Sequence, residues 1–328
     1  MKSASVNAAE HAPTAAPAAE RKPSAPPRPV RGRFAPSPTG DLHFGSLLAA
    51  LASFLSARAA GGEWQLRIED LDTARCVPGA TDRQLAALER LGLRWDGPVR
   101  QQSADLSPYR EALAQLLASG DAFPCACSRA DLAAGGDAGP AGARYPGTCR
   151  NGLPAGRAAR SVRARVDATP IEFTDRFQGP IRTRLDRTGD FVIHRADGVI
   201  AYQLAVTVDD ARQGITEVVR GADLLDSTPR QIWLARRLGL AVPEYAHIPV
   251  ATTAGGRKLG KRDADRPIAD AEPVSALLAG LEFLGQPLPE QRPERADELL
   301  AWAIARFDPT RIPRRRYLPV AERWRGSP

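Results

Sequence analysis

No stretch of this 328-residue sequence stays apolar for long. The most apolar window, residues 47–55, is interrupted by Ser53 and falls far short of the roughly 20 residues a membrane-spanning helix needs, so neither a span nor a membrane partner is expected. Cysteine is scarce: four in the whole chain, too few for a disulfide-framed secreted domain. The apolar core of a secretory signal is missing from the N-terminus, and Glu10 and Glu20 disfavour a transit peptide. These absences point to a reducing cytoplasm, where clustered thiols serve as metal ligands rather than bridges. Internal repeats are lacking too. With 43% hydrophobic and 25% charged residues, collagen, coiled coil and wholesale disorder are excluded, and the apolar content suffices for a core of two or three modules.

Lysine is the next shortage. Lys and Arg total 45 against 38 Asp and Glu, a formal net charge of +7 that favours a polyanionic partner, yet nearly every cation is arginine. The only lysines are Lys2 and Lys22 near the N-terminus and the closely spaced Lys258 and Lys261. Compact point charges on flexible stems are what a phosphate chain in motion calls for, and two solvated surface lysines are the plainer alternative.

Residues 1–30 are Ala, Pro and Ser with scattered charges, unable to bury enough surface to offset their ordering, and are expected to be a disordered tail. From Val30 a short extended run leads through Phe34 into the turn Pro36-Ser37-Pro38-Thr39-Gly40. A helix is predicted over 44–60, closed by Gly61-Gly62, then a strand over 64–68 ending in Glu69-Asp70-Leu71-Asp72. Strand, turn, helix, strand is a βαβ unit, so an α/β fold with a Rossmann-like, doubly wound parallel sheet is expected, its site at the strand ends. Helices come next over 81–91 and 109–117. Residues 31–123 thus form the first half of this α/β unit. From 124 the chain turns to Gly, Ala, Pro and Cys without periodicity, an insertion (124–190) that something must staple. Strands over 191–193 and 202–206, a helix over 232–240 and a short strand over 248–250 make the second half (191–270). Residues 271–328 are a small helical region carrying Arg311, Arg314, Arg315 and Arg316.

Within the insertion, Cys125-Ala126-Cys127, then Tyr145, then Cys149 have metal-ligand spacing: two thiols share one ion through a tight turn and a third returns after a loop. The fourth tetrahedral position is open to His194 or water. Cys76 stands alone and is expected simply to pack.

Four segments in order carry a resemblance: Arg33-Phe34-Ala35-Pro36-Ser37-Pro38-Thr39-Gly40, Leu42-His43-Phe44-Gly45, Arg67-Ile68-Glu69-Asp70, and Lys258-Leu259-Gly260-Lys261-Arg262. Together they resemble the class I aminoacyl-tRNA synthetases of the glutamyl type over roughly residues 31–265. His43-Phe44-Gly45-Ser46 is similar to the HIGH signature, with Ser46 in place of its second histidine. At a helix N-terminus, free N–H groups and the dipole meet phosphate, and an imidazole beside them can donate to the α-phosphate. Gly45 lets an adenine ring approach the backbone. The lysine pair is similar to the KMSKS signature, with Gly260 at the serine position. The resemblance implies His43 and Lys261 as catalytic residues and His43, Gly45, Lys258 and Lys261 as the ATP site, with Mg²⁺ accompanying ATP. It implies a glutamate pocket of Arg33, Phe34, Ala35, Pro36, Ser37, Glu69, Tyr202 and Arg220: guanidinium for the side-chain carboxylate, carboxylate for the ammonium. Asp209-Asp210, and the run from Arg220 to Asp223 leading to Ser227-Thr228-Pro229-Arg230-Gln231, are expected as sheet-end scaffolding. It also implies one structural Zn²⁺ on Cys125, Cys127 and Cys149, with Tyr145 as the family's fourth ligand.

Length chooses within the family. The stretch beyond Arg262 is too short for an anticodon-binding domain. The chain therefore resembles the truncated branch that loads glutamate onto the queuosine base in the anticodon loop of tRNA(Asp), activating glutamate without tRNA and acting as a monomer. The alternatives are a minimal enzyme charging a tRNA 3′ end and an inactive tRNA-binding paralogue.

Overall fold

The computed structural model of the chain describes residues 29–135, 138–139, 142–259 and 267–320, the side chains of 134–143 excepted. The expected tail up to residue 28, and Gly260, Lys261 and Arg262 of the lysine loop, lie outside the described residues. The first half follows the local signals closely. β1 (Arg31–Phe34) and β2 (Glu63–Ile68) flank α1 (Phe44–Ala59) and pair in parallel, Arg31 opposite Glu63 and Phe34 opposite Leu66. After α2 (Ala80–Arg90), β3 (Arg100–Gln101) adds in parallel to β2, and α3 (Ser107–Ala118) leads to β4 (Ala122–Cys125).

The insertion holds a short helix, α4 (Arg129–Gly135), a small ladder of β5 (Ala138–Gly139) with β6 (Gly142–Ala143), and β7 (Ser161–Ala164). It continues as the hairpin β8 (Pro170–Asp175) and β9 (Gly179–Arg184) and ends at β10 (Val192–His194). β7 lies between β4 and β10, antiparallel to both.

The second half contains α5 (Tyr202–Arg212), β11 (Glu217–Gly221), α6 (Thr228–Arg237) and β12 (Glu244–Ile248), with β11 and β12 parallel. β11 lies beside β1, where the Thr216 N–H donates to the Arg31 carbonyl at 3.0 Å. The parallel ladders β1-β2-β3 and β11-β12 therefore sit side by side in a mixed α/β unit. Alternation divides the core. Val219, Ala246 and Ile248 face α1 with Leu47, Leu51 and Trp64, while Val218 and Tyr245 face α5 and α6 with Leu204, Val208 and Trp233. No described helix is long and apolar enough to cross a membrane.

Two local expectations are corrected. Residues 202–206 are not a strand but the first turns of α5. Their run Leu204-Ala205-Val206 is apolar because the helix is buried on most sides, and a short continuous apolar run does not distinguish a buried helix from a buried strand. The strand expected over 248–250 is divided at Pro249, whose missing N–H ends β12; β13 (Val250–Thr252) then pairs with the C-terminal β14 (Tyr317–Pro319). The C-terminal helices, α7 (Pro273–Phe283) and α8 (Ala296–Ala305), join the main core: Val274, Leu277, Leu281, Leu299 and Leu300 cluster with α1.

This joining has a tight point. Gly285 has φ +68°, and a Cβ there would lie 2.5 Å from the Arg311 carbonyl oxygen. Gly285→Ala is expected to destabilise the whole fold by more than about 1 kcal/mol, read as a lowered midpoint in thermal or denaturant unfolding of the full chain. An unchanged midpoint would show that the C-terminal segment contributes nothing to the main core.

Candidate active site

A cleft of about 430 Å³ opens at the C-terminal ends of β1, β2 and β11. Every described residue predicted for the glutamate and ATP sites lines it. Arg33 and Phe34 end β1, and Ala35, Pro36 and Ser37 begin the turn beyond it. His43 and Gly45 open α1, Glu69 follows β2, Tyr202 begins α5, Arg220 lies in β11, and Lys258 comes from the opposite wall. Lys261 is outside the described residues. Gln84, which sequence patterning did not single out, shapes the Pro-rich turn by donating from Nε2 to the carbonyls of Ser37 (3.1 Å) and Gly40 (2.7 Å).

At the α1 end, His43 is the N-cap, extended at φ −113° and ψ 177°, with its carbonyl accepting the Leu47 N–H at 3.0 Å. Its imidazole folds back over the first turn: a Cβ at Gly45 would stand 3.1 Å from His43 Cε1 and 3.2 Å from Nδ1. Gly45 thus makes room for the histidine as well as for a ligand. Across the cleft, Lys258 Nζ sits 2.6 Å from Asp223 Oδ2. Both side chains are substantially exposed, and such pairs are worth at most about 1 kcal/mol, so a phosphate chain easily competes for the ammonium.

The deep end is built from arginines treated unequally. Arg33, 3% exposed, gives Nε and Nη2 to the two Asp210 oxygens at 3.1 and 3.3 Å. Arg67 is fully buried and shares the same carboxylate, with Nη2 2.8 Å from Asp210 Oδ1 and 3.3 Å from Glu69 Oε1, and it also donates to Gln213. Burial opposes ionisation of Asp210, but Arg33 and then Arg67 outweigh it and hold the carboxyl below its usual range. Burial pushes the Glu69 carboxyl up, against the pull of Arg67 and Arg33. Glu69 thus has Arg67 as its ion-pair partner on one side and faces the cleft on the other. Arg220 differs from both other arginines. Its partners are His247 Nε2 (3.0 Å), Tyr202 Oη (3.2 Å), Thr228 Oγ1 (2.8 Å) and Gln231 Oε1 (2.8 Å), all neutral. Among the described residues, no carboxylate pairs with this 5%-exposed guanidinium. A buried cation without an anion is costly, and an acidic ligand meets its best counter-charge there.

In the insertion, the Sγ atoms of Cys125, Cys127 and Cys149 are buried and lie within 4.8 Å of one another. Tyr145 Oη is 3.6 Å from Cys125 Sγ and accepts the Cys149 N–H at 2.7 Å. Burial opposes ionisation of Cys125, yet the Cys127 N–H, the Tyr145 hydroxyl and Arg163 bring that thiol down to about 7. Three converging soft donors with a fourth group at their edge suit a tetrahedral thiophilic ion. His194 is not that fourth group: it lies in β10 and is absent from the donor cluster. Cys76 is separate and half-buried, its Sγ 3.4 Å from the Asp72 carbonyl.

The comparisons with known proteins agree with this geometry. The sequence model for the catalytic domain of class I tRNA synthetases (E and Q) matches residues 29–287. A protein of Geobacter sulfurreducens named glutamyl-Q tRNA(Asp) synthetase is 52% identical over 301 residues, 89% of this chain and 96% of that protein. The chain belongs to the glutamyl-Q tRNA(Asp) synthetase family. The family member of Dechloromonas aromatica is likewise 52% identical, over 87% of this chain and 96% of its own. Among solved structures, a glutamate-tRNA synthetase from Elizabethkingia anophelis superposes with a TM-score of 0.75 at 25% identity, covering 90% of this chain and 69% of that one.

Two residues of this synthetase that sequence patterning missed stand behind Arg220. His247, in β12, is fully buried, with Nδ1 2.5 Å from Asp175 Oδ2 at the end of β8. The only sequence signal was that the chain has just four histidines. Burial, only partly countered by Asp175, pushes His247 down to about 4, so its imidazole is neutral at pH 7. In the unfolded chain it protonates near its ordinary 6.5. Between those values the unfolded state binds the extra proton, and folding stability is therefore lost as pH falls from about 6.5 towards 4. Denaturant titrations across that window should show the loss, and His247→Gln should flatten it; equal slopes in both proteins would contradict the assignment.

Proposed function

We propose that this chain activates L-glutamate with ATP and Mg²⁺, and transfers the glutamyl group to the queuosine base in the anticodon loop of tRNA(Asp). The observation that carries the proposal is the pairing, in one cleft, of a guanidinium without an ionic partner among the described residues (Arg220) and a largely buried carboxylate (Glu69) with the His43 end of α1. The names of the relatives supply the RNA. Arg220 and Tyr202 take the side-chain carboxylate, Glu69 the ammonium, and Arg33 with the turn Phe34 to Ser37 closes the pocket. One oxygen of the glutamate α-carboxylate attacks the ATP α-phosphorus in line, forming the acyl–phosphate bond as the bond to pyrophosphate breaks. His43 and the N–H groups of α1 bear on the α-phosphate, while Lys258 and Lys261 neutralise the departing phosphates. A hydroxyl of the queuosine cyclopentene ring then attacks the acyl carbon, AMP leaves, and the hydroxyl proton passes to solvent.

In this reading residues 31–123 and 191–270 are the two halves of the catalytic unit, residues 124–190 are inserted between them, and 271–328 form the C-terminal region. We read the chain as a monomer working in the cytoplasm. Cys125, Cys127 and Cys149, with Tyr145 as fourth ligand, hold one zinc ion that staples the insertion and takes no part in the chemistry. Metal analysis of the purified protein should give one zinc per chain, lost in Cys125→Ser; a metal-free protein of unchanged stability would dismiss the ion.

The activity itself is tested by two measurements. Glutamate-dependent pyrophosphate exchange is expected with no RNA present. Glutamate transfer is expected to tRNA(Asp) carrying queuosine, even after periodate oxidation of the 3′-terminal ribose, and not to tRNA(Asp) lacking queuosine. Transfer that needs an intact 3′ end and ignores queuosine would instead assign an enzyme charging the tRNA terminus.

A further inference from the structure

The buried pair behind Arg220 does more than fill space. His247 Nε2 accepts the Arg220 Nε–H at 3.0 Å, which requires that nitrogen to be unprotonated. Asp175 Oδ2, 2.5 Å from Nδ1, holds the imidazole proton on the far side of the ring. Asp175 is itself immobile: its Oδ1 accepts the backbone N–H groups of Phe177 (3.0 Å), Gln178 (2.9 Å) and His247 (3.0 Å). Gln178 ties the same two segments once more, donating from Nε2 to the His247 carbonyl at 2.7 Å. On the Arg220 side, Nη2 is committed to Thr228 and Gln231, and one Nη1 donor to Tyr202 Oη. All but one of the guanidinium donors are therefore occupied, and the remaining Nη1–H lies next to Tyr202, whose hydroxyl, accepting from Arg220, has its own proton to give.

We propose that the Asp175–His247 pair, reaching from the insertion's hairpin across β12, is a positioning device. It fixes the imidazole tautomer that aims Arg220, and so sets the enzyme's preference for a substrate side chain that accepts two hydrogen bonds over one that ends in an amide. The proposal rests on the assignment of Arg220 to the substrate's side-chain carboxylate. A carboxylate accepts from both Arg220 Nη1 and Tyr202 Oη, whereas an amide accepts at its oxygen and turns an –NH₂ towards a second donor. The preference holds only while the guanidinium stays in register. Turning the imidazole tautomer over would set Nε2–H against Nε–H, and the guanidinium would have to rotate away.

Asp175→Asn isolates this role. The amide oxygen keeps the three backbone N–H groups at the Oδ1 position, while the –NH₂ donates to His247 Nδ1 and forces the other tautomer. Pyrophosphate exchange by the full-length protein is measured for the wild type, Asp175→Asn, His247→Phe and His247→Gln, with glutamate, glutamine and ATP each varied and the unfolding midpoint recorded. In Asp175→Asn and His247→Phe the KM for glutamate should rise about tenfold and the glutamate-to-glutamine ratio of kcat/KM should fall by about as much, with the KM for ATP within about twofold. His247→Gln, whose amide oxygen still offers Arg220 an acceptor, should recover most of the preference. Glutamate KM and preference unchanged in both of the first two variants would overturn the inference. So would a KM for ATP that rises in parallel, or loss of cooperative unfolding in Asp175→Asn, either of which assigns the pair to folding alone. A wild type without glutamate-dependent exchange would overturn the functional proposal and this inference with it, whereas exchange by the wild type with indifferent variants overturns the inference only.

Discussion

Everything in the cleft depends on how positive charge is buried at the end of a parallel sheet. Three arginines converge there, and only two are neutralised internally. Arg33 and Arg67 share the Asp210 carboxylate, an arrangement in which one desolvated anion serves two cations and each is held in a single orientation. Arg220 is surrounded by neutral acceptors, so its charge is stabilised by hydrogen bonds but left without a counter-ion among the described residues. That asymmetry gives the site its sign.

The second feature is the dependence of the site on chain that is remote in sequence. The hairpin β8–β9 belongs to the insertion, yet its Asp175 reaches His247 of β12, and Arg176 beside it pairs with Glu217 of β11. The insertion therefore reaches the strands behind Arg220, while the three cysteines converge at its other end. The C-terminal helices play the same part on the opposite face, where Gly285 lets the Arg311 carbonyl approach and α7 lies on α1.

Much of the fold and site was legible in the sequence because the signals were local. Pro36 and Pro38 punctuate the turn after β1, Gly61-Gly62 close α1, and the cysteine spacing marks the donor cluster. The pocket residues sit within short motifs whose order follows the strand ends, so Arg33, His43, Glu69, Tyr202 and Arg220 all reach one cleft. Where the signal was not local, patterning failed. Residues 202–206 carry a continuous apolar run compatible with either buried element, and only packing against α6 and β11 makes them helical. Pro249 breaks a strand whose two halves then join different neighbours.

The sequence by itself determined the βαβ order, the position of the helix N-terminus that opens onto the cleft, and the inventory of charged groups at the strand ends. These depend on contacts between near neighbours along the chain. Which arginine keeps its charge for a ligand was decided only by the tertiary structure. Asp210 stands 177 positions from Arg33, and Asp175 stands 72 from His247. No local rule connects such pairs, because the free energy of a buried ion depends on the counter-charges and dipoles that folding alone brings within reach.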